Sequence, residues 1–286
     1  MRPLAELKKS GRWLNDHSRD VYSQTGEDGV IAQALTTLPN RNRWCVEFGA
    51  WDGKHLSNTF NLVENDGYSV VLIEGDPAKF ESLRKEYPYG DRAIFVGQFV
   101  GWTDDENLDR ILEKTPAPLD PDLLSIDVDG NDYHIWKAVK KFRPKLVLIE
   151  FNPTASNRFQ FIQPASAKSN QSSSPASLNE LAKSKGYELI CVIGPNLLFV
   201  DRQYYGAFGI PDNSLEIMRD EADVTHLFLG FDGSLIVDGP AYLRWHGGLP
   251  LKLRQPVPKL LRGYPPNYSP WQRLMFRLWK RLYRFF

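Results

Sequence analysis

Apolar residues gather along this chain in short runs, several of which end on an acid, with helically spaced stretches between them. The first run, residues 44–48, holds Glu47 and then turns through Gly49 and Gly53. Runs at 70–74, 93–96, 123–127 and 145–150 follow, closing on Glu74, Gly97-Gln98, Asp127 and Glu150. Continuous apolar runs of this length predict strands covered on both faces, as in a parallel sheet. Val30, Ile31, Ala34, Leu35 and Leu38 have helical spacing. Ser57 and Asn58 offer caps for a helix running toward Glu64, Asp76-Pro77 opens a helix with Phe80 and Leu83 inward, and another spans Tyr133 to Lys141. The alternation predicts an α/β fold with a mostly parallel, Rossmann-like sheet.

Residues 152–177 are rich in Ser, Asn, Gln and Pro and too long for an ordinary connector, so a mobile substrate loop is expected there. A helix follows from near Pro175 to Gly186. Runs at 187–192 and 197–200 are joined only by Ile193-Gly-Pro-Asn196, too short a link for a parallel crossover, so the sheet should end in an antiparallel hairpin. Residues 225–231 and 235–237, turning through Asp232-Gly233, read as an appended small β-hairpin.

Composition changes this picture little. With 286 residues, 42% of them hydrophobic, the chain can fill a sizeable core. Cys45 and Cys191 both lie in apolar runs and read as buried thiols in a reducing compartment. No stretch reads as a signal peptide or a membrane span, so a cytoplasmic protein is expected. Charge is more telling: the net charge is zero, but no acid follows Asp238, while ten Lys or Arg lie between Arg244 and Arg284. The rest of the chain carries 25 basic against 35 acidic residues. An anionic partner for the tail alone follows from that asymmetry.

Ser269-Pro270 opens a terminal helix through Phe286, with Arg273, Arg277, Lys280 and Arg284 on one face and Leu274, Leu278, Leu282 and Phe285 on the other. This pattern suits an anionic membrane surface. A helix docked on the protein body is the alternative, and no basic groove for nucleic acid is apparent.

The two acids after neighbouring strands define a cofactor crevice, with Glu74 placed to hold a ribose diol. A pyrophosphate needs three glycines and a helix start free of negative charge, whereas here the third glycine is missing and Glu47 and Asp52 flank the turn. Those carboxylates disfavour NAD and favour S-adenosyl-L-methionine (SAM), whose ammonium and sulfonium are positive. A plain strand-turn-helix corner is the alternative.

Ser23-Gln24 with Gly26-Glu27-Asp28, Val46-Glu-Phe-Gly-Ala50 with Asp52-Gly53, Ile73-Glu74, Ser125-Ile-Asp-Val-Asp-Gly-Asn-Asp132 and Ile149-Glu-Phe-Asn-Pro153 together resemble the FkbM-like family of SAM-dependent class I methyltransferases. The resemblance spans residues 20 to 201. It implies the class I methyltransferase sheet, with Glu47, Gly49 and Gly53 bordering the methionine part of SAM, Glu74 the ribose and Gln98 the adenine. Ala50, Asp52 and Asn58 complete the cofactor set, and the Ser23-Gln24 loop closes over it. Glu47-Phe-Gly-Ala-Trp51 departs from the family's commoner Asp-Val-Gly-Ala-Asn, which marks a divergent subgroup.

Asp127, Asp129, Asn131 and Asp132 crowd the end of the fourth strand, and Glu150 and Asn152 the end of the fifth. Hard oxygen ligands of this kind suit Mg²⁺ or Ca²⁺, with Asp127, Asp129, Glu150 and Asn152 as the set. Alternatively, Asp129 and Asn131 are a turn and helix cap, with Asp127 on SAM. In a metal-free reaction Asp127 or Asp129 is the general base, with His134 and His55 within reach of the crevice.

The reading that results is a SAM-dependent O-methyltransferase acting on a sugar hydroxyl of a lipid-linked glycan or surface polysaccharide, peripheral on the inner face of the cell membrane. Methylation of a small metabolite or a protein side chain, and a non-catalytic membrane-associated scaffold, are the alternatives. The expected divisions are an N-terminal extension (1–20), the SAM-binding domain (21–205), a C-terminal elaboration (206–262) and the membrane-surface helix (263–286).

Overall fold

The computed structural model describes residues 4–283, and contacts divide the chain into two compact units, 1–220 and 221–286. In the first, α1 (Leu4–Gly11) and α2 (Glu27–Thr37) precede an alternation of β1 (Trp44–Phe48), α3 (Phe60–Asp66), β2 (Ser69–Ile73), α4 (Pro77–Glu86), β3 (Ala93–Val96), α5 (Leu108–Leu112), β4 (Leu123–Ile126), α6 (Asp132–Ala138) and β5 (Leu146–Glu150). Then come α7 (Pro175–Ser184), β6 (Tyr187–Ile193), β7 (Asn196–Asp201) and α8 (Leu215–Met218).

Among the described residues the main sheet has seven strands in the order β3-β2-β1-β4-β5-β7-β6. β1 to β5 are parallel, and β7 runs antiparallel to both β5 and β6. Every residue of β4 and of β7 is buried, which is why these segments are apolar but for Ser125, Asn196 and Asp201 rather than alternating. The chain order reverses between β1 and β4, and the crevice outside the carboxyl ends of those strands is where such a sheet takes its ligands. At the opposite end of the sheet Asp122, fully buried, accepts the amides of Asn42 and Arg43 and the ammonium of Lys145 at 2.6 Å. That pair fastens the starts of β1, β4 and β5, and removing one partner from such a buried pair typically costs about 3–5 kcal/mol.

Three expectations need correction. The divisions at 20 and 205 do not match the contacts: Leu14 is fully buried, the Trp13 indole donates to the Phe208 carbonyl, and Phe208, Ile210 and Leu215 lie in the same core. Nor do the contacts divide at 262, since 221–286 is one unit. The helix expected from Tyr133 to Lys141 ends at Ala138, because the amides of Lys140, Lys141 and Phe142 turn to the Asp109 carboxylate on α5, an element whose few apolar residues gave no clear period. Cys45 and Cys191 are buried and free, as the sequence suggests.

The second unit contains an antiparallel hairpin of β8 (His226–Leu229) and β9 (Leu235–Asp238), a shorter one of β10 (Tyr242–Leu243) and β11 (Leu249–Pro250), and α9 (Pro270–Leu282). Ser269 caps α9 in a reciprocal box with Gln272. Arg284, Phe285 and Phe286 lie outside the described residues. Among the described residues no helix is long and apolar enough to cross a membrane.

Candidate functional site

The crevice is built from the loops that leave β1, β2, β4 and β5. Glu47, on β1, turns its buried carboxylate to the loop that follows the strand. Its carboxylate accepts the hydroxyls of Ser57 and Thr59, both at 2.6 Å, and the Asn58 amide at 2.9 Å. Burial pushes its pKa up, and those three donors oppose the shift. Glu47 thus holds the loop after β1 in shape, with about one of its acceptor positions left over. Asn58 is no helix cap: its side-chain amide donates to Ser125 on β4. Ser57 does that work, accepting the amides of Thr59 and Phe60. Asp52 is likewise taken by its own turn, through the amides of Lys54 and His55.

Gly49 sits at φ +75°, and a Cβ there would stand 2.2 Å from the Asp127 carbonyl oxygen, so only glycine lets β1 and β4 close up at this point. Its amide and that of Ala50 donate to the Ile73 carbonyl. Gly53 also has a positive φ, and its Cα faces the Leu83 and Tyr87 side chains. Trp51, Leu56 and Asp129 carry positive φ without being glycine, which concentrates backbone strain in the loops after β1 and β4.

Glu74 differs from Glu47. Each of its oxygens accepts one backbone amide, from Trp51 at 2.9 Å and Asp76 at 2.8 Å. An ionised carboxylate has about four acceptor positions, so two remain for a diol. Gln98, half-buried, follows β3 at the same end of the sheet. Ser23 is spent locally: its hydroxyl donates to Asp20 and accepts the Asp28 amide, while Gln24 beside it is exposed. That loop rests on the β6–β7 turn through Glu27, which accepts from Asn196.

Asp127, Asp129 and Glu150 bring one carboxylate oxygen each within 4.8 Å of one another. Asp127 reaches solvent at the mouth of the crevice, yet protein packs around it. That partial desolvation pushes its pKa up, and the charges of Asp132, Asp129 and Glu47 add to the effect. Glu150 is pushed up too, by burial and then by Asp127, Asp132 and Asp129. Asp132, buried at the start of α6, accepts the amides of Val128 and Gly130 and is raised to about 6, mainly by desolvation. The turn-closing acid is therefore Asp132, not Asp129. Asn152 leaves the proposed ligand set, because its side-chain oxygen accepts the amide and hydroxyl of Thr154 and its nitrogen donates to Gln171.

His134 is also otherwise engaged. Its Nε2 lies 2.7 Å from the Gln163 carbonyl, which can only accept, so Nε2 carries a proton and cannot serve as the base. His55 is exposed, edge-on to Trp51.

The segment 152–177 is tied down rather than loose. Gln163, buried, donates through its side chain to Asn131 and the Ser169 carbonyl and accepts the amides of Gln171 and Ser172. Asn131 in turn accepts the amide of Ser166 and donates to its carbonyl. Near the start of the segment the guanidinium of Arg219 donates to the Pro153 and Ala155 carbonyls and to the Asn157 side chain, and stacks on Phe151. Neither Gln163 nor Arg219 stands out in the sequence: Gln163 acts on backbone within its own polar segment, and Arg219 on backbone far from it along the chain.

The methyltransferase FkbM domain matches residues 103–189, the stretch that holds β4, α6, β5 and the tied segment. Over that stretch the chain is similar to FkbM-type methyltransferases, and its sheet order is Rossmann-like. No curated protein matches the sequence. Among solved structures, the chain is similar to precorrin-6y C5,15-methyltransferase from Geobacter metallireducens (14% identity, 64% of this chain and 90% of that one, TM-score 0.38). It is similar also to M. capricolum TrmK in complex with S-adenosyl-homocysteine (11%, 60% and 67%, TM-score 0.38). A third is the N-terminal domain of EvdMO1 with S-adenosyl-homocysteine bound (12%, 70% and 95%, TM-score 0.41).

Proposed function

We propose that this protein is a SAM-dependent methyltransferase that acts on a hydroxyl of a sugar in a lipid-linked glycan or surface polysaccharide, with Asp127 as the general base. The observation that supports it is the meeting of Asp127, Asp129 and Glu150 at the ends of β4 and β5, beside the Glu74 end of the crevice. When bound, SAM supplies a methyl group activated by its sulfonium. Asp127 takes the proton of the acceptor hydroxyl as that oxygen becomes the nucleophile, and its raised pKa brings it nearer the operating pH. The segment after β5 offers the stacked rings of Phe159 and Phe161, on which the C–H face of a sugar can lie. Most of the acceleration comes from holding the two reactants in line.

A metal-assisted version uses the same three carboxylates. Oxygens gathered in this way suit Mg²⁺ or Ca²⁺, and such a cation would lower the pKa of a bound hydroxyl. Anchoring by the terminal helix would place the enzyme at the inner face of the cell membrane, near a lipid-linked acceptor.

The test is methyl transfer from labelled SAM to a panel of glycans, in buffer with Mg²⁺ and with chelator. Asp127→Asn is expected to slow transfer about 10²–10⁴-fold while S-adenosylhomocysteine still binds. Full activity in the variant would remove Asp127 as base, and loss of S-adenosylhomocysteine binding would reassign it to the cofactor. Label found only on protein or on small metabolites would overturn the sugar assignment.

A further inference from the structure

The second unit carries more exposed apolar surface than its terminal helix alone. α9 packs on its own unit through one face: the Trp279 indole donates to the Pro256 carbonyl, and Phe276 meets the Tyr268 ring. That face is not the leucine stripe. Trp271, Leu274, Leu278 and Leu282, spaced three and four apart, remain exposed, flanked by the exposed Arg273, Arg277, Lys280 and Arg281. The helix thus satisfies its own unit and still presents an apolar stripe beside a basic flank.

The β8–β9 hairpin shows the same excess. In the pairs Leu227↔Val237 and Phe228↔Ile236, which lie on opposite faces of the ribbon, Leu227, Phe228 and Ile236 are all exposed. Leu229 is 78% exposed, and Phe231 at the tip is 88% exposed. A two-stranded ribbon in water normally keeps at least one face polar. The tip's own acid, Asp232, is folded back on the Ser234 amide and hydroxyl. The hairpin and α9 are fastened to neighbouring residues: Gln255 pairs with both the amide and the carbonyl of Leu235, and Pro256 takes the Trp279 indole.

Charge selects the partner. The unit holds ten Lys or Arg against four acids, and one of those acids, Asp223, pairs with Arg244. Exposed aromatic and aliphatic side chains amid excess positive charge match the interface of an anionic bilayer: apolar groups enter the acyl boundary while Lys and Arg stay with the headgroups.

We infer that residues 221–286 form a membrane-surface module that grips anionic lipid at two places, the stripe of α9 and the tip of the β8–β9 hairpin. This goes beyond a helical anchor and does not depend on the identity of the methyl acceptor.

The experiment is flotation of the full chain with vesicles of phosphatidylcholine alone and of phosphatidylcholine with phosphatidylglycerol. Binding is expected only to the anionic vesicles and should weaken with salt. Phe231→Ser and the double variant Leu274→Ser/Leu278→Ser should each weaken it roughly tenfold, the scale of one or two apolar side chains returned to water. These side chains are exposed, so circular dichroism and S-adenosylhomocysteine binding should match the wild type. Wild-type flotation by Phe231→Ser would overturn the two-point grip. Failure of the wild type to float, with a dimer by sedimentation that these substitutions dissociate, would make the surface a contact between copies and overturn the inference.

Discussion

Glu47, next to last in β1, and Glu74, just past β2, are both acids near the carboxyl ends of parallel strands, but their surroundings give them different work. Three donors from the loop after β1 close on Glu47, whereas Glu74 keeps acceptor positions open. A sequence shows the carboxylate but not the donors that occupy it. The same gap explains Asp52, Asn152 and His134, each read as facing ligand and each spent on a neighbouring turn or carbonyl. The residue scale also yields a pH effect. Asp127 and Glu150 titrate at ordinary values near 3.8 and 4.5 when unfolded, and higher when folded. Between those values the folded state holds protons that the unfolded chain has released. The stability this contributes is full below the unfolded values and is lost as pH rises through the folded ones. The Tm of ligand-free protein should therefore fall from about pH 5 to about pH 8, and Glu150→Gln should flatten that fall. An identical pH profile in the variant would show that Glu150 is not desolvated.

At the scale of elements, the strands were legible because full burial demands apolar runs, and the antiparallel end of the sheet because four residues cannot carry a crossover. The core loops were legible only as compositions. Residues 152–177 look like a tether in sequence, being polar and rich in serine, but their polar groups bind one another and α6. α5 escaped notice because so short a helix shows no full period. The tied segment depends on one side chain most of all. Gln163→Ala would leave the part-buried Gln171 and Ser172 amides without their acceptor, at a cost up to the roughly 1–3 kcal/mol of a fully buried orphan. Limited proteolysis should cut the variant within 158–172 well before the wild type. Equal resistance would mean that the segment is held by something other than the Gln163 frame.

Across the whole molecule, charge and chemistry are divided between the two units. The acidic first unit carries the seven-stranded sheet and the carboxylate-lined crevice, and the basic second unit carries the exposed aromatic and leucine-rich surface. Net charge alone hides this, and it emerges only when the acids and bases are followed along the chain. The central claim is that SAM binds at the carboxyl ends of β1 and β2 with Glu74 on its ribose. Calorimetric titration of S-adenosylhomocysteine into the full chain, beside a Glu74→Ala variant whose folding is checked by its melting curve, tests it most directly. Saturable one-to-one binding that weakens at least roughly tenfold in the folded variant is the predicted result, the scale of lost hydrogen bonds to a charged group. Absence of saturable heat in the wild type, or undiminished affinity in Glu74→Ala, would contradict it.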